Sequence, residues 1–188
     1  MELMEAIYGR RAVRNYSSKE VTRPVIRKLL DAAVQAPSAM NSQAWAFALF
    51  QGRQLLKDFS DRAKLQFLAN FSPGPDPHVQ MREMLAEPGF NIFYDSGTLL
   101  VIYATPNGGQ FAVGDCFLAG QNLMLAAHDL GLGSCPVGFA QSWLDLEDVK
   151  AELEIPVQYS AVLPVVVGYP AKIPEHPARK KPEMINWK

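Results

Sequence analysis

The chain has 188 residues, 48% of them hydrophobic and 20% charged, with a formal net charge of -1 and a pI near 6.3. That is the composition of one soluble globular domain with enough chain for a sizeable core. It speaks against a nucleic-acid or membrane-surface binder, whose affinity comes from excess Lys and Arg, and no apolar run has the length of a membrane span.

Two cysteines, Cys116 and Cys135, and three histidines form neither a disulfide framework nor a metal-type spacing. Glu2 and Glu5 precede any apolar run, so the expectation is a cytoplasmic chain without a secretory leader.

Leu3, Ala6 and Ile7 read as one or two helical turns ending at Gly9. Arg10-Arg11-Ala12-Val13-Arg14 then sets three basic residues within five positions. Guanidiniums so close repel one another unless an anion sits among them, and their fixed fork of donors suits phosphate or carboxylate. The alternative is a solvated basic turn. Arg23 to Gln35 is an amphipathic helix with Thr22 as cap, Pro24 in its first turn, and Val25, Ile26, Leu29, Leu30 and Ala33 as its stripe. The loop from Ala36 to Ala44 offers Ser38, Asn41, Ser42 and Gln43 between two apolar elements. It either meets the edge of a flat heteroaromatic ring or is a plain connection built on Asx-type turns.

Trp45 to Phe50 is the first strand. Residues 52 to 69 are helical, with Leu55, Leu56, Phe59, Ala63 and Phe67 inward. Phe71 to His78 is a loop and 78 to 86 a short helix. Over 60 to 92, Phe67, Phe71, Met81, Met84 and Phe90 either line a substrate-side lid or are core. Thr98 to Ala104, apolar on both faces, is a buried central strand. Residues 111 to 130 form the longest helix, apolar around most of its circumference. Only Asp115, Asn122 and Asp129 form a polar stripe, so the sheet or another subunit must bury it. Gly131 to Phe139 is a glycine-rich turn, 145 to 153 an acidic helix, and Leu163 to Gly168 a second buried strand. Arg179-Lys180-Lys181 is a second basic cluster. The tail after it, with Met184, Ile185 and Trp187, is expected to pack on the body or on a partner. Helices followed by alternating strands and helices give an α+β domain spanning 1–188, with a mixed sheet and a long buried helix.

Four features thus follow in order: Arg10-Arg11-x-x-Arg14; Ala36-Pro37-Ser38-x-x-Asn41-x-Gln43-x-Trp45; Gly131-Leu132-Gly133-Ser134-Cys135 with Gly138; and Gly168-Tyr169-Pro170 with Arg179-Lys180-Lys181-Pro182. This series resembles the flavin-dependent nitroreductase family over nearly the whole chain. The resemblance implies an intertwined homodimer with two flavin mononucleotide (FMN) sites at the subunit interface. Arg10 and Arg11 would hold the phosphate, joined by Arg179 and Lys181, with Lys180 the alternative to Lys181. Ala12 would lie beside them, and Arg14 toward the pyrimidine end. Pro37, Ser38, Asn41 and Gln43 would meet the flavin of the other subunit. Pro136, Val137 and Gly138 would lie against the ring, with a backbone N–H near N5.

The implied activity is reduction of small acceptors such as nitroaromatics, quinones or enones at the expense of NADH or NADPH, by ping-pong hydride transfer. The chain departs from the family pattern at Ala12, Ala44 and Pro136, where a hydroxyl residue, proline and an aromatic residue are frequent. Two other readings stand beside this one: oxygen-dependent flavin chemistry or dehalogenation, and flavin binding without turnover.

Overall fold

The computed structural model describes residues 1–69 and 79–188. Its most apolar stretch is buried at every residue and forms β2 (Thr98–Ala104). A strand apolar on both faces needs a layer on each. Leu100 and Ile102 face one apolar cluster, and Leu99, Val101 and Tyr103 face the other. Among the described residues the remaining strands are β1 (Trp45–Gln51), β3 (Gly133–Pro136) and β4 (Ser160–Gly168), in the order β1-β2-β4-β3.

The expected mixed sheet is corrected: every neighbouring pair is antiparallel. The excursion from β1 to β2 leaves and returns at one end of the sheet. Gln51 pairs with Thr98, and the Gly52 N–H donates to the Gly97 carbonyl at 3.0 Å. β2 and β3 do point the same way, but β4 lies antiparallel between them. The parallel contact present is an isolated bridge, Ala12 to Ser134.

Among the described residues seven α-helices accompany the sheet: α1 (Leu3–Gly9), α2 (Arg23–Ala33), α3 (Arg53–Ala69), α4 (Val79–Ala86), α5 (Ala112–Asp129), α6 (Gln141–Leu144) and α7 (Glu147–Glu152). α2 and α5 close one face. Ile26, Leu29 and Ala33 meet Cys116, Ala119, Leu123 and Ala127 there. α3 closes the other face with Leu56, Phe59 and Ala63, whereas Leu55 turns outward. Phe67, Met81 and Phe90 pack on that second cluster and Met84 is exposed. The predicted loop from Phe71 to Pro77 and His78 lies outside the described residues.

α5 departs from expectation in one respect. One side is buried, but the side bearing Val113, Phe117 and Leu118 is open, with Phe117 51% exposed. Its polar stripe is split: Asp115 is 5% exposed and Asn122 Nδ2 donates to the Ala32 carbonyl at 3.3 Å, whereas Asp129 is exposed and pairs with the Met1 ammonium at 3.0 Å. The tail does not pack on the body either. Ile185 is 96% and Trp187 87% exposed.

Candidate functional site

The site begins where α1 ends. The Arg10 N–H closes the helix onto the Ala6 carbonyl at 3.0 Å, and the backbone then turns extended. It runs beside β3, with the Val13 N–H donating to the Ser134 carbonyl at 3.0 Å. Gly133 permits this approach, since a Cβ there would sit 2.5 to 2.8 Å from three side-chain atoms of Val13. Residues 10 to 14 are therefore fixed along one strand, near the C-terminal end of α5, where the His128 ring packs on Gly9.

The three arginines take different environments. Arg10 is half-buried, and its acidity is raised first by burial and then by the neighbouring charges of Arg179 and Arg11. Arg179 belongs to the tail, so the basic residues of the two chain ends share one electrostatic neighbourhood. Arg11 folds back and donates from Nη1 to the carbonyls of Tyr8 and Arg10. Those are carbonyls left over at a helix end. Arg14 lies over the Tyr94 ring, 5.7 Å from its centroid. Among the described residues, none of Arg10, Arg11, Arg14, Arg179 and Lys181 pairs with a carboxylate. A cavity of about 240 Å³ adjoins Arg10 and Arg11, with Gly133, Ser134 and His128 in its wall. Among the described residues the buried Ser134 hydroxyl has no hydrogen-bond partner. An uncompensated group of guanidiniums is what a phosphate dianion neutralises, so these residues fit a phosphate-bearing cofactor.

Cys135, on β3, is buried. Burial raises its thiol pKa, and the nearby Arg14 and Arg10 oppose that rise. Of the three residues beyond, Pro136 has no N–H, and the Val137 N–H is committed to the Pro164 carbonyl at 2.8 Å. The expectation of backbone donors over 136 to 138 therefore narrows to Gly138. Nothing lies within 4 Å of where its Cβ would be.

Loop 37 to 43 is built apart from this group. Its 3-10 turn spans Ala39–Asn41. Met40, Asn41 and Gln43 hold φ of 53°, 54° and 48°, in the left-handed region sparsely used by non-glycine residues. The loop fixes itself through Gln43 N–H to Ser38 Oγ at 3.0 Å and Gln43 Nε2 to Asn41 Oδ1 at 3.2 Å. Asp115 anchors it, accepting the Ala39 N–H on both carboxylate oxygens at 3.2 Å and the Ser42 hydroxyl at 3.5 Å. Pro37, Asn41 and Gln43 face outward. Asp115 and His128 lie thirteen residues apart on α5, about 20 Å at helical rise. The chain thus holds the loop and the arginines at opposite ends of the same helix.

Sequence reasoning named Asp115 without giving it a role and missed Tyr94. A lone acid near the start of an otherwise apolar helix was the available signal for Asp115. Tyr94 had none, because its position comes from a turn without periodicity.

A three-layer fold, a cationic group that joins Arg10 with Arg179, and a polar loop kept apart from it form an arrangement suited to a phosphorylated ligand. Comparison with known proteins says which class of protein this is. The nitroreductase family model matches residues 7–169, and the chain belongs to that family. A relative from Methanothermobacter thermautotrophicus, provisionally named an NADH dehydrogenase/NAD(P)H nitroreductase, is 30% identical over 174 residues, 93% of this chain and 80% of its own. The 4-nitrobenzoate reductase of a Nocardioides species is 26% identical over 203 residues, 90% of this chain and 81% of its own. Among solved structures, an FMN-bound nitroreductase from Bacteroides fragilis superposes with a TM-score of 0.77 at 27% identity, covering 99% of this chain and 95% of the other.

Proposed function

We propose that this chain is an FMN-dependent oxidoreductase that uses NADH or NADPH to reduce small acceptors of the nitroaromatic, quinone or enone type. The observation that carries this reading is the electrostatic neighbourhood that Arg10 shares with Arg179, uncompensated by any carboxylate among the described residues. When bound, FMN supplies two-electron hydride chemistry at N5 of its ring. The chain's residues bind and orient it. Arg10, Arg179 and Lys181 hold the phosphate, and Arg11 adds its charge from behind while tied to the end of α1. Ala12 lies along the same strand as a packing neighbour without a hydroxyl to offer. Arg14 faces the pyrimidine end, where negative charge accumulates. Gly138 supplies the backbone donor and Pro136 and Val137 the wall. Hydride chemistry asks for no side-chain acid–base pair, only an open ring face beside such a donor.

The working unit is a homodimer in this reading. The open apolar side of α5 and the exposed Met184, Ile185 and Trp187 are surfaces a second copy would cover. Two copies of α5 packed antiparallel across a two-fold would bring loop 37 to 43 of each to the arginines of the other. Ser38, Asn41 and Gln43 would then meet the cofactor held by the partner. Among the described residues no helix is long and apolar enough to cross a membrane. We place the protein in the cytoplasm.

The test is a visible spectrum of the purified protein, then anaerobic titration with NADH and NADPH. Bound FMN, bleaching by either donor, and colour restored by a nitroaromatic are expected, with parallel initial-rate lines. Arg10→Ala should lose its flavin on gel filtration. A protein that stays colourless after incubation with FMN would refute the reading, as would turnover that requires oxygen.

A further inference from the structure

The turn after α4 is fixed more heavily than a connection requires. Lys64 Nζ donates to the Phe90 carbonyl at 2.7 Å, and the Ile92 N–H donates to Ser60 Oγ at 3.0 Å. Asn91 accepts the Phe93 N–H at 2.9 Å and donates from Nδ2 to Asp95 Oδ1 at 2.9 Å. Lys64, Ser60 and Asn91 are all buried. Two adjacent non-glycine residues at the crest, Tyr94 and Asp95, hold φ of 54° and 55°. Backbone of that kind persists only where the surroundings over-determine it, and it gathers at functional sites.

What the turn delivers is the face of one ring. The Arg14 guanidinium lies 5.7 Å from the centroid of Tyr94, while Phe90 braces that ring edge-on at 6.2 Å. A cavity of about 270 Å³ opens between Arg14 and the turn. Asp95, the acid in its wall, is bound to the Asn91 amide, and no carboxylate pairs with Arg14 among the described residues. The two kinds of partner differ in their consequences. A carboxylate would orient Arg14 and cancel its charge. An aromatic face attracts a cation through its quadrupole and leaves the net charge in place.

We propose that Tyr94 is a positioning residue: its ring face aims Arg14 at the bound flavin while leaving the guanidinium charge whole for the pyrimidine end of the cofactor. This rests on the function proposed above, specifically on Arg14 meeting the flavin.

The test compares Tyr94→Phe, Tyr94→Leu, Tyr94→Asn and Arg14→Gln, with the two Tyr94 truncations also made in the Arg14→Gln background. The readouts are FMN dissociation from the apoprotein, followed by flavin fluorescence, and the midpoint potential of the holoprotein. Asn is at home in left-handed backbone, so Tyr94→Asn removes the ring while easing the turn and guards against a folding artefact. Tyr94→Leu and Tyr94→Asn are expected to weaken FMN binding about threefold, the scale of one cation–π contact, and to lower the potential. Tyr94→Phe keeps the ring but removes the hydroxyl, which also interacts with Arg14, and falls between the parent and the truncations. In the Arg14→Gln background the truncations add nothing. Truncations that are silent in the parent, or equally costly without Arg14, overturn the inference, as does a Tyr94→Phe that costs as much as Tyr94→Leu. If Arg14→Gln leaves affinity and potential unchanged, the fault lies earlier, in placing Arg14 against the flavin.

Discussion

Replacing Asp115 with alanine tests whether loop 37 to 43 is clasped by α5. The carboxylate accepts one backbone N–H on both oxygens at 3.2 Å and one hydroxyl at 3.5 Å, from a position 5% exposed. Hydrogen bonds to a charged group contribute about 1.5 to 3 kcal/mol, and these lengths put the N–H bond near the lower figure and the hydroxyl well below it. A negative charge in the first turn of a helix adds about 0.5 kcal/mol. The expected loss is about 2.5 kcal/mol. For a chain of this size that lowers the melting temperature by about 5 to 10 °C.

The consequence for binding is separable from the loss of stability. Met40, Asn41 and Gln43 sit in left-handed backbone that costs about 1 kcal/mol or more each. Released from Asp115, the loop leaves that conformation, and FMN must restore it. If about 2 kcal/mol of ordering moves onto the binding step, the dissociation constant rises roughly thirtyfold. Circular dichroism melts of the apoprotein and fluorescence titration with FMN measure the two effects. Asp115→Asn, which keeps one acceptor for the Ala39 N–H, should fall between parent and alanine in both. Melting and affinity both equal to the parent would refute the clasp. A lowered melt with unchanged affinity would refute the link between clasp and cofactor.

Gly133→Ala should push residues 10 to 14 off β3, because the new Cβ lands 2.5 to 2.8 Å from Val13. A loss of about 2 kcal/mol is expected, with Val13→Ala restoring most of it; a melt unchanged by Gly133→Ala would count against this packing. Burial, then the charge of Asp115, pushes the Cys116 thiol up to about 12, and burial raises Cys135. Neither should react with iodoacetamide at pH 8 while the protein is folded, and rapid alkylation of the native protein would contradict their burial. The same shifts fix a sign for stability. Both thiols stay protonated in the folded state after their unfolded counterparts ionise near pH 8.5, so stability falls as pH rises above that point. Thermal melts from pH 7 to 10 follow this, and a melt that rose with pH would oppose it.

Where local pattern and tertiary role coincide, the sequence was a sufficient guide. Thr98 to Ala104 is apolar on both faces because it is central, and its bounds were legible to the residue. α2 was read two residues too long at one end, the usual uncertainty of a fraying terminus. β3 escaped because Gly133 and Pro136 carry no strand preference. That segment is a strand through its pairing with Val165 to Gly168, not through its own composition. The direction of the sheet escaped for a related reason: alternation of strands and helices does not reveal that the chain returns to the end of the sheet it left.

The site divides along the same line. That basic residues from two distant clusters would share one neighbourhood was legible for Arg10 and Arg179, since like charges so placed call for an anion. How each is oriented was not. Arg11 turns to the carbonyls of Tyr8 and Arg10 because α1 happens to end there, and Val137 gives its N–H to Pro164 because β3 lies beside β4. α5 shows the limit most clearly. Spacing set Asp115 in a narrow polar stripe and left its partner unnamed. The fold buries the acid as an anchor for a strained loop and leaves Phe117 and Leu118 outside. An apolar strip on the outside of a single chain is stable only if something covers it. An amphipathic pattern thus records burial in the completed assembly. In the homodimer proposed here the second copy would cover that strip while its loop 37 to 43 completes the arginine site, so one surface would serve both assembly and cofactor binding.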